Sequence, residues 1–287
     1  MARSKGISRG QTAGLVIVLT GLLIAGLLAS LLGRSAERAG AEPSGYSERA
    51  AFGRMVGPCA DRELRRELRC PDLKMRKPFD LYFDYSPGGR LLLHAANDIQ
   101  SRGTGPLEVR GRKGIPGKPN RMEAHQVIYR KGGGKLHRKP SGYLVFFPIP
   151  YQGRYWKYAN AARFELWRLD ADREPIERVR VGPKADYCFR DLEHTMPSDR
   201  SPSYPVYPGC SQSQEISKVT LGTSVGWSDV YPAPYHQNYV SANGLRGCFM
   251  LRQLADPLNQ ISELNEENNV GKRRVKLTGS DSSIQSC

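Results

Sequence analysis

The sequence predicts an all-β domain, a sandwich of short strands with long loops, preceded by one N-terminal transmembrane helix. Three observations carry this expectation. Thirty glycines and 20 prolines are scattered without a period, which favours short strands joined by turns. Apolar residues recur in short alternating or continuous runs, such as Phe79 to Asp84 and Arg90 to His94. A long uncharged, largely apolar stretch, Ala13 to Leu32, stands near the start. A chain of 287 residues that is 39% hydrophobic can bury a sizeable core, which excludes global disorder.

The N-terminus reads as a membrane signal. Arg3, Lys5 and Arg9 precede the apolar run, whose 20 residues suffice to cross a hydrocarbon layer of ~30 Å. Basic charge on the N-terminal side keeps residues 1–12 in the cytoplasm, makes 13–33 a single-pass signal anchor in the cell membrane, and places the chain after Gly33 outside. A cleaved signal peptide carries a shorter apolar core of roughly 7 to 15 residues, so length favours a retained anchor. The rival reading is cleavage at Ala39-Gly40-Ala41. Residues 34–55 are polar and read as a linker. The extracellular domain then spans 56–278, and 279–287 form a polar tail.

The domain opens with Cys59 and Cys70, and the residues between them read as a short helix with Glu63, Arg66 and Glu67 on one face. Outside the cytoplasm, cysteines at this spacing predict a local disulfide. Pro71-Asp72-Leu73 comes next, and then the strands at Phe79 to Asp84 and Arg90 to His94. Two glycine-rich basic loops, Arg110 to Arg121 and Arg130 to Lys139, flank a strand at Glu123 to Tyr129. The net charge of +15 would draw acidic envelope polymers or proteins, although a solvated basic surface explains the same composition. No motif points to a specific nucleic acid.

Two later runs carry chemistry. Lys184-Ala-Asp-Tyr-Cys-Phe-Arg-Asp191 sets a lysine shortly before Cys188, and Thr220 to Tyr231 reads as one glycine-rich strand closing on a tyrosine. In this order, and together with Leu91 to Val109 and Phe164-Glu-Leu-Trp-Arg-Leu-Asp170, they resemble the catalytic core of the lysyl oxidase family. The resemblance covers roughly Pro71 to Leu277. It implies a lysyl-oxidase-like sandwich in which Lys184 and Tyr231 lie close together. In the family these are the precursors of a lysine tyrosylquinone that, with copper, oxidises primary amines to aldehydes.

The same resemblance fails at copper. The family's histidines should precede Phe164, yet Tyr151 to Arg163 contains none, and the last His-x-His pair falls on Tyr155 and Lys157. Copper of this kind needs neutral imidazole nitrogens, whereas Lys157 offers an ammonium. The remaining histidines, His94, His125, His137, His194 and His236, show no ligand spacing. Copper and the quinone are therefore not expected, and Lys184 and Tyr231 should stay unmodified.

A calcium site is a further implication of the resemblance. Glu263-Leu-Asn-Glu-Glu-Asn-Asn269 and Pro71-Asp-Leu73 match the two family loops that meet around one calcium ion. Carried over by position, the ligands are Asp72, the Leu73 carbonyl, Glu263, Asn265, Asn268 and Asn269, all oxygen donors. Asn265 replaces a carboxylate, which lowers the charge of the set; without the resemblance the run would read as an Asn-rich turn.

Cys188 and Cys210 form a natural pair across the Pro-rich loop Pro197 to Pro208. Cys248, in a strand at 248–254, and Cys287 are left over, and their pairing stays open. A turn at Asp256 to Asn259 and a last strand near Val270 to Leu277 complete the chain. Two functions fit these residues: a degenerate lysyl-oxidase-like module with a binding or structural role in the envelope, or an amine oxidase of the protein-lysine 6-oxidase type that obtains its oxidant elsewhere.

Overall fold

Asp61 starts the one α-helix among the described residues, just after a single 3-10 turn at Gly57–Cys59, because its Oδ1 accepts hydrogen bonds from the backbone N–H of Glu63 (2.8 Å) and Leu64 (3.0 Å). This helix, α1 (Arg62–Glu67), lies between Cys59 and Cys70, which are disulfide-bonded as expected. The computed structural model describes residues 56–151, 153–279 and 287. The expected cytoplasmic segment, anchor and linker, and most of the tail, lie outside the described residues. Among the described residues, no helix is long and apolar enough to cross a membrane.

The rest is antiparallel strand. In chain order the strands are β1 (Leu68–Arg69), β2 (Leu73–Met75), β3 (Phe79–Tyr85), β4 (Leu91–Ser101), β5 (Leu107–Arg112), β6 (Arg121–Arg130), β7 (His137–Ile149) and β8 (Gly153–Leu169). They continue as β9 (Pro175–Val181), β10 (Ala185–Tyr187), β11 (Lys218–Thr223), β12 (Ser228–Tyr231), β13 (Tyr239–Ser241), β14 (Gly247–Ala255) and β15 (Val270–Leu277). The larger sheet runs β11-β5-β6-β7-β8-β14-β15, with β1 on β6 and with β9 and β10 on β8. In the smaller sheet β4 is central: β12 and β13 pair with it, as do β2 and β3.

Both sheets contribute to one hydrophobic core. Leu73, Leu93 and Ile99 of the smaller sheet and Leu107, Leu144, Trp156, Phe164 and Phe249 of the larger are each almost completely buried in it. β8 changes partners along its length, pairing with β7 through Gly153–Tyr158 and with β14 through Ala162–Arg168. The change falls at Asn160, whose φ of 56° breaks the regular pleat. Its N–H is held by Asp186 Oδ1 at 2.8 Å. Both basic glycine-rich loops beside β6 are mostly solvent-exposed.

One expected element is corrected. Thr220 to Tyr231 is not a single strand but the end of β11 in the larger sheet and all of β12 in the smaller, joined by residues 224–227. Asp191 fixes the joint, accepting from Ser224 N (2.6 Å) and Ser224 Oγ (2.7 Å). Gly226 occupies φ 83°, and a Cβ there would lie 2.0 Å from Ser201 Oγ and 2.6 Å from the Met196 carbonyl oxygen. The glycine that sequence reasoning assigned to a strand is thus required by a crossover between sheets.

Candidate functional site

β12 delivers Tyr231 to the interior, where its ring stacks on Tyr187 at 4.0 Å between centroids and meets Tyr235 edge-on at 4.7 Å. The Tyr231 hydroxyl accepts a hydrogen bond from Cys188 N at 2.8 Å. Burial, and then the nearby Asp229 carboxyl, push its phenol well above the usual range. The hydroxyl therefore stays protonated.

Lys184, the expected partner of Tyr231, does not lie inside the protein. It precedes β10 and is exposed to solvent. The buried lysine beside Tyr231 is Lys157 of β8, only 1% exposed. Its Nζ donates to the Tyr235 hydroxyl and sits 4.8 Å from the Tyr235 ring centroid and 5.9 Å from that of Tyr231. Strand alternation explains the placement, since Trp156 and Tyr158 occupy one face of β8 while Tyr155 and Lys157 occupy the other. Both Tyr155 and Lys157 line a cavity with Tyr231 and Tyr235.

Electrostatics in this cluster follow from burial. Desolvation lowers the Lys157 amine to about 8, opposed by the carboxyls of Asp186 and Asp229. Asp229 is 1% exposed with neither carboxyl oxygen hydrogen-bonded, and burial raises it well above the carboxylate range despite Arg190 and Lys157. His236 packs against Tyr235, and burial followed by the Lys157 charge lowers it to about 4.

The residues at the expected copper position do not fit copper. Lys157 and Tyr155 stand where imidazoles would be needed, and His236 is the single imidazole packed against this cluster among the described residues. His94 stacks on Tyr82 and His194 on Trp227, and His125 and His137 belong to the neighbouring strands β6 and β7. Among the described residues, no group of three or more His, Cys, Asp or Glu side chains is arranged to hold a metal ion.

The two loops expected to hold calcium lie against each other, with side chains placed differently from the expectation. Glu263 Oε2 accepts from Leu73 N at 2.6 Å, and Asn268 Nδ2 donates to Asp72 Oδ1 at 3.0 Å, so the β14–β15 loop is tied to the start of β2. Asn269 Nδ2 bridges Glu263 Oε1 (2.7 Å) and Glu266 Oε2 (3.1 Å). Asn265 is corrected out of the set: it is exposed, and its amide oxygen accepts from Glu267 N at 3.0 Å. Glu266, missed in the sequence, is buried in its place; the signal was a carboxylate immediately after Asn265, where the resemblance leads one to expect a carboxylate. Three buried oxygens, Glu266 Oε1, Asn268 Oδ1 and Asn269 Oδ1, have no hydrogen-bond partner. Burial, then Glu266, raises Glu263, and burial, then Asp256, raises Glu266 to about 7. Raised carboxyls and unpaired amide oxygens thus share this loop junction, although among the described residues no three His, Cys, Asp or Glu side chains converge as a metal site.

Disulfides join Cys188 to Cys210 as expected, and Cys248 to Cys287, which the sequence left open. The first anchors the loop beside Tyr231. No family model matches this sequence, and no curated protein matches it significantly.

Proposed function

We propose that the chain is a membrane-anchored extracellular module, similar to the lysyl oxidases in sequence order but copper-free, with a binding or structural role in the cell envelope. The observation that carries this reading is Lys157, whose buried amine occupies the position expected for a copper imidazole and is hydrogen-bonded to Tyr235. A cation already held at that point repels a second one. The cavity beside Tyr231 also contains Arg190, so a protonated amine substrate would meet two basic groups. Three disulfides support an oxidising compartment, and the basic N-terminus before the apolar run supports the anchor.

In this reading calcium, held by Asp72, the Leu73 carbonyl, Glu263, Glu266, Asn268 and Asn269, ties the first strands of the module to the last. The ion would supply charge neutralisation and cross-linking rather than chemistry. The competing function is a copper-dependent amine oxidase. Metal analysis of protein purified from copper-supplemented cells, with a quinone-directed redox stain, tests the choice. The expected result is less than one-tenth copper per chain and no stain; stoichiometric copper with staining would establish the oxidase.

A further inference from the structure

A cavity of about 510 Å³ opens between β8, the segment 188–192, the loop 209–212 and the end of β12. Ile149, Leu192, Val230 and Pro232 give it aliphatic walls, and Tyr231 and Tyr235 give it aromatic ones. Lys157 is the one amine among its lining residues, and Arg190 is its other basic group. The Lys157 amine is held in place by its hydrogen bond to the Tyr235 oxygen. A cavity of mixed lining, with aliphatic and aromatic walls around one fixed amine, suits an uncharged electrophile better than a cationic ligand, which both basic groups would repel.

We propose that Lys157 captures aldehydes: its amine adds to the carbonyl carbon of an apolar aldehyde seated in this cavity and holds it as an imine. This rests on the copper-free reading in one respect, that the Lys157 amine is neither metal-bound nor cross-linked. The step balances without an oxidant or reductant. A bond forms from Nζ to carbon as the carbonyl π bond opens, and one Nζ proton passes to the oxygen to give a carbinolamine. The C–O bond then breaks, the second Nζ proton leaves with that oxygen as water, and a C=N bond remains. Hydrolysis reverses both stages. The Tyr235 hydroxyl, already bonded to Nζ, is placed to relay the proton from nitrogen to oxygen. Burial lowers the Lys157 amine to about 8, so a far larger fraction is free at neutral pH than for an ordinary lysine.

The test treats the full-length protein with hexanal and cyanoborohydride at neutral pH and maps the reduced adducts by peptide mass spectrometry. A hexyl group should appear on Lys157 at least about tenfold faster than on the exposed Lys184, each pKa unit being a factor of ten in free amine. Lys157→Arg should lose that adduct. Tyr235→Phe should slow its formation while leaving Lys157 as the site. Labelling spread over the exposed lysines with Lys157 unmodified would overturn the proposal, and this result needs no variant to fold. The intact mass before treatment keeps the two claims separate: a cross-linked or oxidised starting protein contradicts the copper-free reading, whereas an unmodified protein that fails to capture hexanal contradicts only this inference.

Discussion

Lys157 Nζ donates a hydrogen bond to the Tyr235 hydroxyl in the protein interior, the lysine 1% and the tyrosine 7% exposed. The bond satisfies one donor of the amine but does not restore the solvation that burial removes. For that reason desolvation outweighs the carboxyls of Asp186 and Asp229 and lowers the amine. The same bond fixes the amine beside Tyr231, where the sequence had suggested a different lysine.

Replacing Lys157 by Met should stabilise the protein in a pH-dependent way. With the folded amine near 8 and the unfolded one near 10.5, the unfolded chain binds more protons between these values, so wild-type stability rises with pH across that window. Below about 8 both states are protonated and the deficit is constant. The variant should therefore be more stable by on the order of 2–3 kcal/mol at pH 7, with the gap closing towards pH 10.5. Urea titrations at several pH values measure this; a gap unchanged from pH 7 to 10 would contradict it.

Calcium should raise the melting temperature relative to chelator, by about 5 °C at a hundredfold excess over its dissociation constant. Glu266→Gln should remove most of that increment, while Asn265→Ala should cost much less because Asn265 is exposed and its amide oxygen is occupied by Glu267 N. Scanning calorimetry of the three proteins decides it. Equal losses in both variants would restore Asn265 to the ligand set.

Gly226→Ala should destabilise the protein by about 2–3 kcal/mol. The added Cβ meets the Met196 carbonyl oxygen at 2.6 Å in a backbone held at φ 83°, and backbone cannot rotate away as a side chain can. Denaturant midpoints check this, and a change under about 0.5 kcal/mol, the range of ordinary surface substitutions, would mean the crossover between the sheets relaxes freely.

Much of this was legible in the sequence because it depends on local pattern. Alternation and turn residues marked strands at 79–84, 123–129, 248–254 and near 270–277, each matching the observed element or falling one or two residues short of it at an end, and the Cys59–Cys70 spacing marked the first disulfide. The break between Thr223 and Ser228 was hidden, since small and β-branched residues suit a strand in either sheet and nothing local marks a change of sheet. Lys157 was legible as a lysine where the resemblance would place a histidine but not as the neighbour of Tyr235, 78 residues later. That contact depends on how β8 packs against the turn between β12 and β13, which no periodicity encodes. Glu266 was overlooked for a related reason: the turn at Asn265 rotates the following carboxylate inward.

In the copper-free reading this module keeps Tyr231 and Lys157 at the site, and Lys184 exposed, without making a quinone from them, and peptide mass spectrometry of protein expressed with copper tests that directly. The peptides carrying Lys157, Lys184 and Tyr231 should each be recovered linear and at unmodified mass. A Lys184 to Tyr231 cross-link, or Tyr231 carrying added oxygen, would contradict the reading.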